Sequence, residues 1–249
     1  MTSTDLQNHD LPKGTYGYSA VKLDDLGASQ YTLITLVVDV SPSVTDYITQ
    51  LEEAIKKIVE GCGHKNNPYA DNMLIRIVSF AHDVQEVHGF KMPSECNIDD
   101  YTGCLHVRNA TALYDAAENA ISATTDYASK MSNWDFTVNG IVVLLTDGQD
   151  LTSSGTQTDV LRASQAAMKS EALESLMTIL IGVGLKDNPN LGVELNEFKT
   201  EAKLTQYIGV EELTASVFAK LADFISQSIS QTSEALGSGG PSTILDLDF

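Results

Sequence analysis

Basic residues are scarce. Fifteen lysines and arginines stand against 34 aspartates and glutamates, a formal charge of −19 over 249 residues. A field of that sign repels nucleic-acid phosphates and anionic membranes, so neither is an expected partner. It favours cations, although acidity is also the common signature of a soluble protein. Cysteine is sparse as well. Cys62, Cys96 and Cys104 are an odd set with no disulfide framework, and the expected compartment is a reducing cytoplasm. No apolar run approaches the ~18 residues of a membrane span. The opening Met-Thr-Ser-Thr-Asp-Leu-Gln-Asn-His-Asp has neither the basic nor the apolar region of a signal peptide. The Gly-x-x-x-x-Gly-Lys-Ser/Thr phosphate loop and the Gly-x-Ser-x-Gly nucleophile turn are also missing. With no activated nucleophile to name, no enzyme is expected.

What is present suffices for a full core: 43% of the residues are apolar, and the length fits one α/β domain. Residues 1–30 read as a polar leader packed loosely on the domain, with Pro12, Gly14 and Gly17. The domain proper is expected over 31–233. Strands are expected at Leu33–Asp39, Met73–Phe80, Asp83–Phe90, Gly140–Asp147, Leu176–Val183 and Gln206–Gly209. Helices alternate with them: one from Pro42, capped by Ser43 and Asp46 and stopped by Gly61 and Gly63, then Thr111–Lys130, Gln157–Leu173, a short helix or loop over Asn190–Lys203, and Leu213–Ile229. Alternation of this kind implies a Rossmann-like, doubly wound, mostly parallel sheet with helices on both faces. Residues 234–249 read as a flexible linker followed by an apolar and acidic tail.

The organising stretch is Leu-Ile-Thr-Leu-Val-Val-Asp-Val-Ser-Pro-Ser, Leu33–Ser43. A buried strand stops at Asp39, and the hydroxyls of Ser41 and Ser43 follow at every second residue. Open α/β sheets bind ligands at the carboxyl ends of their strands. Thr111 in Asn-Ala-Thr-Ala-Leu-Tyr-Asp and Asp147 in Leu-Leu-Thr-Asp-Gly-Gln-Asp each stand at the predicted end of an element. Carboxylates and hydroxyls together are oxygen ligands for a hard divalent cation.

This constellation resembles the metal-ion-dependent adhesion site of von Willebrand factor A (VWA) domains, whose pattern is Asp-x-Ser-x-Ser, a distant Thr and a distant Asp. The resemblance covers roughly residues 30–230. It implies six strands in the order 3-2-1-4-5-6 with strand 3 antiparallel. It implies Mg²⁺ or Mn²⁺ held by Asp39, Ser41, Ser43, Thr111 and Asp147, with one coordination position open to an Asp or Glu of a partner protein. The expected function is a Mg²⁺-dependent protein–protein interaction module, in a cytosolic stress-response or ATPase-associated system. The alternatives are a regulatory subunit of an enzyme complex and a structural assembly protein with a vestigial metal site. Two positions depart from the family's pattern: Pro42 stands between the serines and Ala110 before Thr111, where glycine is common.

Each residue also has a plainer reading. Ser43 and Thr111 are plausible helix caps, Asp147-Gly148 an ordinary turn, and Asp46 and Asp150 solvated or capping acids. His88, Cys96, Cys104 and His106 have zinc-ligand chemistry at spacings that match no compact zinc pattern. In the tail, Ile244, Leu245, Leu247 and Phe249 stand with Asp246 and Asp248. That segment reads either as a peptide docking on a partner or a second copy, or as a strand or frayed end of its own domain.

Overall fold

The structure, a computed structural model, describes residues 6–11, 16–186, 188–212 and 214–238. Pro12, Gly14, Leu213 and the tail from Ile244 to Phe249 lie outside these. Among the described residues eight strands form one sheet: β1 (Gln7–His9), β2 (Tyr18–Ala20), β3 (Gln30–Asp39), β4 (Met73–Phe80), β5 (Val84–Lys91), β6 (Thr137–Thr146), β7 (Ser175–Gly182) and β8 (Gln206–Gly209). Their order is β1-β2-β5-β4-β3-β6-β7-β8. β4, β3, β6, β7 and β8 run parallel, and β5 is antiparallel to β4. The six expected strands thus stand in the expected order, with two more beyond β5.

Those two correct the reading of a loose leader. β1 and β2 form an antiparallel pair, and β2 continues the sheet from β5 through Ala20 and Phe90. Tyr18, Ala20 and Val21 are buried, and the Tyr127 hydroxyl donates to the Val21 carbonyl at 2.7 Å. The segment is an edge of the sheet because its apolar side chains find a cluster with Phe90, Tyr127 and Met131.

Among the described residues five α-helices cover the two faces: α1 (Ile48–Gly63), α2 (Leu113–Ser132), α3 (Gln157–Lys169), α4 (Pro189–Glu201) and α5 (Ala215–Ser238). β3 and β6 are central and buried on both sides, which is why they read as nearly unbroken apolar runs. Alternate side chains serve opposite faces. Ile34, Leu36, Val38, Ile141 and Val143 meet α1 and α5, whereas Val37, Val142 and Leu144 meet α2, α3 and α4.

Three helix expectations need correction. A 3₁₀ turn over Pro42–Tyr47 precedes α1, which therefore starts at Ile48, and no Ser43–Asp46 capping pair forms. Gly61 does not stop α1. It lies inside, where a Cβ would sit 3.3 Å from the Ser226 hydroxyl, so the missing side chain lets α5 come close. α5 itself runs to Ser238, past its expected end at Ile229 and five residues into the stretch read as a linker from residue 234. Buried hydroxyls hold its last turns to the sheet: Ser233 Oγ donates to Thr32 Oγ1 at 2.9 Å, and Asn139 Nδ2 donates to the Thr232 carbonyl at 3.0 Å. Among the described residues no helix is long and apolar enough to cross a membrane.

Candidate metal centre

β3 and β6 are neighbours in parallel register, with Val38 opposite Leu145. Asp39 and the Thr146-Asp147 pair therefore leave the sheet side by side at its carboxyl edge. Pro42 forces the preceding residue out of the helical region, and Ser41 is extended at φ −64°, ψ 165°. The chain then turns tightly, and the Ser41 and Ser43 hydroxyls come within 3.0 Å of each other. Ser43 Oγ donates to Asp147 Oδ1 at 2.7 Å, so the serine is tied to the distant acid and is not a cap. Asp39 is fully buried. Its Oδ1 accepts from the Ser41 amide at 2.8 Å and its Oδ2 from the Thr146 hydroxyl at 2.6 Å.

The fifth residue arrives on the loop before α2. The Arg108 amide donates to the Val40 carbonyl at 2.8 Å, and the Thr111 carbonyl accepts from the Leu151 and Thr152 amides. These bonds pin the Thr111 loop between the loops that follow β3 and β6. Thr111 is buried, and the N-cap of α2 is Ala112, so the threonine hydroxyl is not used as a cap. A Cβ at Gly148 would lie 3.6 Å from Thr111 Oγ1 and 4.0 Å from Asp39 Oδ2. That bare glycine leaves room between an alcohol from one loop and a carboxylate from another. Ala110 adopts φ +66°, a left-handed conformation that costs an L-residue about 1–2 kcal/mol. The glycine common at this position in the resembling pattern thus has a backbone reason.

An open cleft of about 650 Å³ lies over these groups, bordered by Ser41, Pro42, Thr111, Leu151, Asn190 and Glu194 among others, and no basic side chain lines it. Burial pushes the Asp39 carboxyl up to about 6, against the pull of its bonds from Thr146 and Ser41. Burial also raises Asp147, with the Ser43 bond opposing. Two desolvated carboxylates, neutral hydroxyls and no local cation make a donor set that fits a hard divalent ion, which would supply the counter-charge the protein omits.

The model of the von Willebrand factor type A domain matches residues 34–196, a span that holds all five residues. The chain belongs to the VWA family. No curated protein matches its sequence. Among solved structures, it is similar to the PilB minor pilin of Streptococcus sanguinis (14% identity, TM-score 0.59), covering 89% of this chain and 66% of the pilin. It is also similar to the pilus adhesin SpaC of Lactobacillus rhamnosus GG in its open conformation (14% identity, TM-score 0.56), covering 81% of this chain and 30% of the adhesin. A third similar structure is proximal thread matrix protein 1 of the mussel byssus, solved with a zinc-occupied MIDAS motif (18% identity, TM-score 0.51). That match covers 84% of this chain and 47% of the mussel protein. The VWA domain thus spans less than two thirds of each of these proteins, and at these identities the likeness is one of fold.

Sequence reasoning about this VWA domain missed the residues that hold the ligand loops. Thr146, next to Asp147, orients Asp39. Asp150 accepts from the Tyr114 amide at 3.1 Å and from Ser153 Oγ, while Asp115 accepts from the Ser154 and Gly155 amides. Asp150 is therefore a cap for α2, as its plainer reading held, and Asp46 is exposed. A signal existed in the acids and serines repeated through residues 147–159, but their partners lie on a distant helix. The four zinc-type residues form no metal cluster among the described residues. His88 instead bonds Tyr101 and the Gly89 carbonyl, and all three cysteines are free.

Proposed function

We propose that this VWA domain binds one Mg²⁺ or Mn²⁺ through Asp39, Ser41, Ser43, Thr111 and Asp147 and uses it to capture an acidic side chain of a partner protein. The observation that carries this reading is that three loops bring five oxygen-bearing side chains together, Ser41, Ser43 and Thr111 lining a cleft without a basic side chain and Asp39 and Asp147 bonded to those serines. The ion supplies a Lewis-acidic position for the incoming carboxylate. The chain's own residues set the rest. Asp39 and Asp147 provide charge, Ser41 and Ser43 provide neutral donors that leave the ion electrophilic, and Thr146 and the Ser41 amide hold Asp39 in place. The zinc-occupied MIDAS motif of the mussel protein supports a metal at this place in the fold. The role is adhesion-like recognition and not catalysis. Three unpaired cysteines support a reducing, cytoplasmic setting, where a stress-response or ATPase-associated assembly is the proposed context.

Calorimetry of the metal-stripped chain with Mg²⁺ and Mn²⁺ tests the reading. One ion per chain is expected, and Asp39→Ala should remove the binding while circular dichroism stays that of the folded domain. Equal metal affinity in that variant would sink the assignment.

A further inference from the structure

We propose that the tail of one molecule, Ile244–Phe249, is the acidic ligand for the metal cleft of a second copy, so that the chain assembles head to tail. The inference rests on the metal reading above and names its partner.

The tail reads Ile-Leu-Asp-Leu-Asp-Phe. Each acid stands between apolar side chains. The cleft has the complementary make-up. Its oxygen donors lie beside Pro42, Ala110 and Leu151, and Leu151 is 62% exposed, an unusual degree for a leucine. An acid of the tail suits the ion, and its apolar neighbours suit this wall. Without the ion the same cleft is acidic and repels the tail, so docking depends on the metal.

The fold favours a neighbour's cleft over the chain's own. α5 starts after the carboxyl end of β8 and finishes at the amino edge of the sheet, where Thr232 and Ser233 bond Asn139 and Thr32. The cleft is at the carboxyl edge. From Thr32 to Asp39 the strand climbs about 23 Å. The helix from Ser233 to Ser238 descends about 7 Å further. Asp246, eight residues beyond Ser238, reaches at most about 29 Å when fully extended. That is short of the roughly 30 Å between the two levels, before any detour. Asp248 reaches at most about 36 Å, and the path must also round a helix layer about 10 Å thick. A second copy imposes no such limit. Each molecule then offers one cleft and one tail, a heterologous contact that propagates as an open chain or closes as a ring. Copies of formal charge −19 repel one another, so added salt strengthens the assembly by screening.

Sedimentation velocity on the full chain at about 0.1–1 mM, the range suited to a short peptide ligand, tests this. In Mg²⁺ the weight-average mass should rise above 26.9 kDa with concentration, and in EDTA it should stay there. The double variant Asp246→Asn/Asp248→Asn should stay monomeric in Mg²⁺ while calorimetry shows unchanged Mg²⁺ affinity. Asp39→Ala should also be monomeric. Mixed together, these two variants should form a dimer that grows no further, since one supplies the tail and the other the cleft. Self-association of the double variant equal to wild type overturns the proposal. So does a wild-type chain that stays monomeric in Mg²⁺ at 1 mM. In that case calorimetry on the same sample separates the two ideas: bound Mg²⁺ leaves the metal site standing, and its absence removes both.

Discussion

Arg76 on β4 and Asp39 on β3 are both fully buried, one strand apart, and the protein treats them differently. Arg76 is met by an opposite charge: its Nε donates to Glu86, and its Nη2 donates to Asn119 Oδ1 at 2.9 Å. Glu86 also accepts from the Ser19 amide and hydroxyl, and Asn119 Nδ2 donates to the Tyr16 carbonyl, so the network fastens the N-terminal edge to the domain. Asp39 receives only neutral donors, from Ser41 and Thr146, and lies beneath the cleft that Ser41, Ser43 and Thr111 line. A buried charge with its counter-charge inside the protein serves the fold. One given only neutral donors is left for the proposed ion to complete.

The largest way to break this contrast is to strip Arg76 of its partner. Glu86→Ala should cost about 3–5 kcal/mol in urea unfolding, the usual penalty for an uncompensated buried charge, and leave Mg²⁺ affinity of the folded protein unchanged. A loss below about 1 kcal/mol would show that the network is not what holds the edge.

The next effect is pH-dependent. In the metal-free protein burial pushes the Asp39 carboxyl up from 3.8 to about 6. The folded state therefore binds the extra proton between those values, and stability should fall as pH rises from about 4 to 6, by up to about 3 kcal/mol from this group. Saturating Mg²⁺ should reverse the slope, because the ion requires the ionised carboxylate. Thermal melts across that range with EDTA and with Mg²⁺ check both signs.

Asp39→Asn sharpens the same point. At pH 7 the metal-free variant should be more stable than wild type by about 1–3 kcal/mol, since it relieves a desolvated charge. It should gain nothing from Mg²⁺, whereas wild type melts higher with the ion. The smallest effect is at the backbone: Ala110→Gly should raise stability by about 0.5–1 kcal/mol by relieving its positive φ.

The five candidate residues stood out in the sequence because each is a side-chain oxygen near the end of a strand or helix, and strand ends are marked by the stop of an apolar run; the structure brings Asp39, Ser41, Ser43 and Asp147 into one hydrogen-bonded group. The reversal of β5 and the order of the six inner strands were legible through the family pattern, whereas its place as an edge was not kept, since β2 pairs with β5. Residues 6–20 were not legible, since β1 and β2 are three residues each and gain their place from Tyr18 and Ala20 meeting Phe90 and Tyr127. The end of α5 misled for a related reason. Ala-Leu-Gly-Ser has the composition of a linker, but the helix leading into it is anchored by Thr232 and Ser233, whose partners lie far away in the chain. Arg76 reads as an interruption in an apolar strand, and nothing nearby announces Glu86 or Asn119 as its partners.

The clasp between Ser233 and Thr32 joins residues 201 positions apart. β3 is the first central strand to leave the ribosome, and the helix that seals one face of it is the last element described. Until α5 emerges, Leu36, Val38, Val143 and Leu145 are covered on that side by α1 alone. From the emergence of β6 until that of α5 the nascent chain therefore carries a half-covered apolar face, and the closure of that face waits on a long-range contact. Folding should be slow and post-translational, with chaperones engaging the exposed β3–β6 face before release.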